Sequence, residues 1–382
     1  PYTTLFRSGR RTVRLDGMTK YKKIIFKSVV PILLIVLFFS GCDSNRSGFD
    51  SSFDVALVAT ANTAKKTDII YLDKNFKVLH KQSGLKYADF ARGNTPPVVT
   101  GGHMYTAPRG TMSDADEHEI VDINLKDGKL KEYDIGEELD GPTGFSYVDG
   151  VMYVCRNLNG KSAVGSYNLS NSKIKIRNFQ HAKDGCIMNM IAVKECLICG
   201  GNSNENVKNH LYILDRKTLN TLKKIQIQNS ATGFSVYGEK VYITQEPENE
   251  RGKYYIGIYD LKSKKYQSIP IDIKGNSMLR VMKWKNSLVI PDVDSTNIKS
   301  RFVVYDLKTG KSREIKFDDE IFQSQIRGNE LFIFCCGKNE RGILYRYAFD
   351  GKSLKGEKKL LVDDEILKEG GPSLFFLNNE KK

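Results

Sequence analysis

The sequence predicts an all-β fold: a seven-bladed β-propeller with four antiparallel strands per blade, its first blade closed by the C-terminal strand. Three observations carry that prediction. Residues 143–154 (TGFSYVDGVMYV) match residues 232–243 (TGFSVYGEKVYI) at an offset of 89, which is two periods of about 45; repeats of about 40 to 50 residues belong to propellers and helical arrays. A second marker keeps the same period. An apolar run ending in Asp or Asn, then a Lys-rich turn, recurs at Asp73, Asp122, Asn168, Asp215, Asp260, Asp306 and Asp350, at intervals of 44 to 49. Finally, each copy consists of short β-branched and aromatic runs broken by turn residues, such as FVVYDL at 302–307 and LFIF at 331–334. Such runs are strands, so helical arrays are excluded.

Taken in order, the chain starts with a segment that does not belong to the fold. Residues 1–17 read as a non-native extension, with PYTTLFRS at 1–8 adapter-like, and Met18 is the expected start. Lys20, Lys22, Lys23 and Lys27 then precede an apolar run from 29 to 39 and the small residues Ser40 and Gly41. A basic region, a short apolar core and a small-residue site make 18–41 a secretory signal; the run is too short to span about 30 Å of hydrocarbon. The sequence Phe39-Ser40-Gly41-Cys42 resembles the lipobox of bacterial lipoproteins, with Phe39 where that family usually has Leu. The resemblance implies cleavage before Cys42, acylation of its thiol, and a cell-membrane anchor on the extracytoplasmic side. Residues 42–52 are Ser-rich and polar, as a flexible tether is.

The propeller is expected over 53–377, with a tail at 378–382. The third copy illustrates the blade: strands at 145–148, 152–155, 163–167 and 173–178, with a tight turn at Asp149-Gly150. The first copy begins at 53–58 on what matches the second strand of other copies, so its innermost strand is missing. Residues 371–379 (GPSLFFLNN) resemble the first-strand segment 142–150 and supply it. Closure of the ring hides sheet edges. Over this span the repeat resembles the quinoprotein-like and YVTN-type seven-bladed propellers.

Charge narrows the partners. The chain has 59 Lys+Arg against 45 Asp+Glu, a formal +14, but residues after 41 retain only +7. That is an ordinary surface with no nucleic-acid footprint. Loop lengths point to one face. Connections between second and third strands are long and polar (59–67, 107–118, 156–162, 200–209, 244–253, 291–301, 336–342), whereas the other turns are tight. Loops on a rigid scaffold gather binding residues. Alignment of the segments leading into each first strand places Thr95, Thr143, Asn189, Thr232, Arg280 and Gln323 around the central channel as candidate ligand contacts. Arg280 stands out, because a guanidinium there costs desolvation unless an anion meets it.

Catalytic and metal signals are weak. The five His fall in no metal motif, and no G-x-S-x-G, P-loop or dinucleotide fingerprint occurs. Asp114, Asp116, Glu117 and Glu119 form an acidic stretch without the spacing of a Ca²⁺ loop, and Asp292 with Asp294 forms a weaker one. Cys196 and Cys199 lie on a strand, where residues three apart face opposite ways. Cys155 and Cys199 read as small core residues in equivalent slots, Cys186, Cys335 and Cys336 carry no motif, and a disulfide between blades stays open. Trp284 matches Tyr237 and reads as core. No metal or cofactor is therefore expected. The expected function is a non-catalytic, membrane-anchored module that binds a protein, peptide or glycan on its loop face. The alternative is a propeller enzyme, lactone hydrolase- or lyase-like, working at the channel mouth.

Overall fold

A computed structural model of the chain describes residues 49, 51–61, 66–87, 90, 96–108, 118–158, 160–202, 208–247, 252–336, 342–362 and 371–378. Over these residues 29 strands pair into seven antiparallel sheets. Blades 2 to 7 each take four successive chain segments, with blade 6 splitting its first strand in two. Blade 1 instead runs Gly371–Leu377, Val55–Ala61, Lys66–Leu72 and Val78–Leu85 in spatial order. The two helical turns, Glu137–Leu139 and His181–Asp184, lie in links between blades.

The burial pattern follows from the layering. Second and third strands sit between neighbours on both faces and read as near-continuous apolar runs, such as Leu288, Val289 and Ile290 beside Phe302, Val303 and Val304. Fourth strands are outer edges: Thr221–Gln226 and Leu354–Val362 are mostly exposed and rich in Lys, which discourages pairing with another chain. The hydrophobic core is a ring of layers between sheets. One layer joins blades 7 and 1 through Phe332, Phe334, Leu344, Leu57, Ile70 and Phe375. Another joins blades 5 and 6 through Tyr242, Ile256, Ile258, Leu288 and Ile290.

The ring closes as expected. Val55 pairs with Leu377 and Leu57 with Phe375, and Leu374, Phe375, Phe376 and Leu377 are each at most 2% exposed. Polar groups fasten the seam from blade 7. Arg327 donates to the Asp54 carboxylate at 2.8 Å, and Asn378 donates from its backbone and side chain to the carbonyls of Asp54 and Phe53.

The periodic Asp marker has a physical cause. Its side chain accepts hydrogen bonds from backbone N–H groups two to four residues ahead, closing the tight turn between third and fourth strands. Asp215 takes the amides of Lys217 and Thr218, Asp306 those of Lys308 and Thr309, and Asp350 those of Lys352 and Ser353. Those donors hold all three carboxyls below the usual range; for Asp350 the first contribution is its bond to Lys355. Blade 2 corrects the sequence register: its turn residue is Asn124, which caps Lys126, whereas Asp122 lies two positions earlier and bonds His103 at 2.7 Å.

Other expectations shift as well. The loop expected at 156–162 is a tight hairpin, since its strands run Val151–Leu158 and Lys161–Asn168. Strands Ser287–Asp294 and Lys299–Asp306 likewise shorten the loop expected at 291–301. Cys155 pairs with Gly144 and Cys199 with Met190, one slot apart, so their equivalence fails. Their burial holds, and Cys155, Cys186, Cys196, Cys199 and Cys335 are free thiols. Cys196 and Cys199 do face opposite ways, into different layers. Trp284 occupies the slot of Tyr237, half-buried over Phe349, with its indole N–H on Asn329.

Candidate functional site: the central channel

First strands approach one another around the axis, and most carry an irregularity near their start. In blades 1, 3, 4, 5 and 7 the register shifts by one residue, at Ser373, Thr143, Met188, Thr232 and Phe322. Such a bulge turns the following side chain to a new direction. The shift also separates the predicted contacts. Thr143 and Thr232 are the bulged residues themselves, and each hydroxyl donates to the second strand of its own blade, at Cys155 and Thr244. Asn189 and Gln323 stand one slot later, opposite Gly200 and Phe334, where blades 3 and 5 have Gly144 and Gly233. Arg280 falls in that second set, next to Gly233: a Cβ there would stand 3.7 Å from the Cα of Arg280. The five described positions thus form two sets, and Thr95, like Cys42 and the carboxylates at 114–117, lies outside the described residues.

In the second set the side chains do different work. The Asn189 amide donates to the Thr232 carbonyl at 2.7 Å, tying blade 4 to blade 5. Gln323 is 6% exposed, and its amide both donates to the Phe375 carbonyl and accepts from the Phe375 N–H, each at 2.8 Å. It fastens the closing strand. Replacing it would therefore disturb ring closure.

Arg280 behaves otherwise. It turns back toward blade 5, and its Nε donates to Ser235 Oγ at 3.0 Å, while that hydroxyl donates to the Val281 carbonyl at 2.7 Å. A fixed hydroxyl thus orients the guanidinium. The side chain lines a cavity of about 270 Å³ along the axis, together with Tyr237, Gln323, Gln325, Pro97, Phe322 and Phe376. Among the described lining residues Arg280 is the charged one and none is a carboxylate. Desolvation lowers the Arg280 pKa and raises that of Tyr237.

Three further polar groupings lie outside the channel. His181 Nε2 lies 2.8 Å from Ser162 Oγ and 3.6 Å from Cys186 Sγ. The serine is 1% exposed and accepts the Ile187 N–H, while burial pushes the Cys186 thiol up. A buried hydroxyl and a protonated thiol make this a fastening of the link between blades 3 and 4. Glu246 similarly accepts the Met278 N–H at 2.6 Å and the Ser277 hydroxyl at 3.1 Å, joining blades 5 and 6, and burial raises its carboxyl. Asp292 faces Arg301 and the amides of Lys274 and Gly275, while Asp294 caps a turn, so this acidic pair does not converge on a cation. Among the described residues no His, Cys, Asp or Glu grouping of three could hold a metal.

No family model matches the chain, and no curated protein does. Solved structures are similar in fold. A putative 6-phosphogluconolactonase from Bacteroides uniformis superposes with a TM-score of 0.60 at 11% identity, covering 85% of this chain and 99% of that one. Dihydro-heme d1 dehydrogenase NirN gives 0.55 at 13% identity, over 88% and 77% of the two chains. BamB from Moraxella catarrhalis gives 0.51 at 9% identity, over 83% and 89%. At such identities the likeness is one of architecture.

Proposed function

We propose that the protein is a lipid-anchored, extracytoplasmic, non-catalytic binding module of a bacterium, attached through Cys42 and engaging a protein, peptide or glycan on its long-loop side. The observation that supports this reading is the inequality of the two sides. Tight turns cap one side, each held by its own Asp or Asn. The chain also joins the propeller there, with Phe49 packed on Tyr71 and His80 and against Gly128. The strands flanking residues 62–65, 109–117, 203–207 and 248–251 end on the other side, which is the side this reading assigns to the partner. Acyl chains at Cys42 would hold the module at a bilayer, since two or more anchor firmly where one does not.

Cys42→Ala is expected to abolish incorporation of labelled fatty acid and to release the protein from the membrane fraction. Unchanged retention of the variant, with no label on the wild type, would refute the anchor. The working side is tested separately by replacing 248–251 and 337–341 with Gly-Ser segments and recovering partners from membrane extract. Partner recovery should fall with these variants and stay level with Lys308→Ala/Lys311→Ala in the opposite turns. Equal loss in both would move the site off the loop side.

A further inference from the structure

We infer that the central channel is a binding site for a small organic carboxylate, with Arg280 as the group that takes its charge. This site is separate from the partner surface proposed above and stands whether or not that surface is correct. The first reason is the bareness of the cation. Arg280 lines the axial cavity and is half-buried, and within the described residues its hydrogen bond is the single one from Nε to Ser235 Oγ. Buried charges in proteins are ordinarily paired, because an uncompensated one costs several kcal/mol. Other buried or half-buried arginines here have partners at their Nη groups: Arg301 meets Asp292 and Glu314, Arg327 meets Asp54, Arg346 meets Glu330, and Arg156 and Arg177 donate to backbone carbonyls. Among the described residues the Nη groups of Arg280 have neither kind of partner.

The second reason is geometry. With Nε committed to Ser235, the two Nη groups are the donors left over, and a guanidinium edge suits the two oxygens of one carboxylate. Ser235 cannot swing away without losing its bond to the Val281 carbonyl, so the fork is oriented in advance. Its surroundings define the remainder of the ligand. Pro97, Leu279 and Phe322 present apolar surface, while Tyr237 and Gln325 add polar groups. A cavity of about 270 Å³ suits a molecule of modest size.

The third reason is charge count. One cation neutralises one negative charge. No second Lys or Arg lines the cavity among the described residues, so a phosphate dianion would keep an uncompensated charge in a desolvated place. The site therefore favours a monocarboxylate with an apolar body over a phosphate ester.

Calorimetric titration of the detergent-solubilised full-length chain with benzoate, phenyl phosphate and benzyl alcohol tests this. Benzoate is expected to bind at least about tenfold more tightly than either of the others, and Arg280→Gln to weaken benzoate about tenfold or more while leaving benzyl alcohol unchanged. Phenyl phosphate binding more tightly than benzoate, equal benzoate binding by Arg280→Gln, or no benzoate binding to the wild type would each overturn the proposal. Should Arg280→Gln not fold, the wild-type chain decides through arginine modification. Benzoate, and not benzyl alcohol, should slow phenylglyoxal labelling of Arg280 several-fold as mapped by mass spectrometry; labelling indifferent to benzoate would refute the site.

Discussion

Deleting residues 371–382 is expected to abolish cooperative unfolding of the propeller and leave an aggregating chain. The removed strand contributes Leu374, Phe375, Phe376 and Leu377, all essentially buried between blades. Burial of each is worth about 1.5–3 kcal/mol, against a net stability of order 5–15 kcal/mol for a whole domain. The loss goes beyond side chains. Val55–Ala61 would become a long, apolar, unpaired edge, a template for association with another copy. Gln323 and Arg327 would lose backbone partners at Phe375 and Asn378. Thermal unfolding followed by circular dichroism, with light scattering, checks the expectation. A control separates sequence from position: the same strand moved ahead of Phe53 through a short linker should restore the transition. Unaltered unfolding of the truncated chain would show that closure contributes nothing.

The architecture was legible because a propeller repeats its physics. Each blade needs strands apolar on both faces and a turn closed by a short side chain that caps backbone amides. Both needs leave marks every 45 residues or so. The closing strand was legible for a related reason: residues 371–377 share the Pro-containing start and apolar finish of 142–148. Positions within the channel were not. A bulge adds a residue to one strand and none to its partner, so equal spacing in sequence is unequal height in the ring. That is why Thr143 and Arg280, aligned as equivalents, lie in different slots. In blade 2 two candidate caps stand two residues apart, and Asn124 rather than Asp122 takes the turn amide. Gln323 illustrates a second limit. Its type suggests a ligand contact, but its role comes from Phe375, 52 residues away, whose backbone amide it satisfies. Arg280 was singled out because a guanidinium there costs desolvation unless an anion meets it, and its side chain lines the axial cavity.

The second large effect is expected in blade 6. Asp292→Ala should destabilise the propeller by about 3–5 kcal/mol, the usual result of removing one partner from a buried ion pair. Asp292 is 1% exposed, and it receives three donors: Arg301 Nε and the backbone amides of Lys274 and Gly275, at 3.0 and 2.8 Å. Removing it strands a guanidinium of which little is exposed and leaves two amides of the link between blades 5 and 6 without an acceptor. Glu314 retains one side of Arg301 at 2.5 Å, but it is well exposed and compensates weakly. The residue type follows from this position. The corresponding place on blade 5 is Gln245, which bonds Tyr266, whereas blade 6 is approached by the link carrying Lys274 and Gly275 and needs an acceptor there. A double-mutant cycle with Arg301→Leu distinguishes a coupled pair from two independent losses. The double variant should lose at least about 1 kcal/mol less than the two single variants together, because with the guanidinium gone no buried cation is left unpaired. Strict additivity in denaturant unfolding would mean that Asp292 acts through the two amides alone and that its pairing with Arg301 adds nothing to stability.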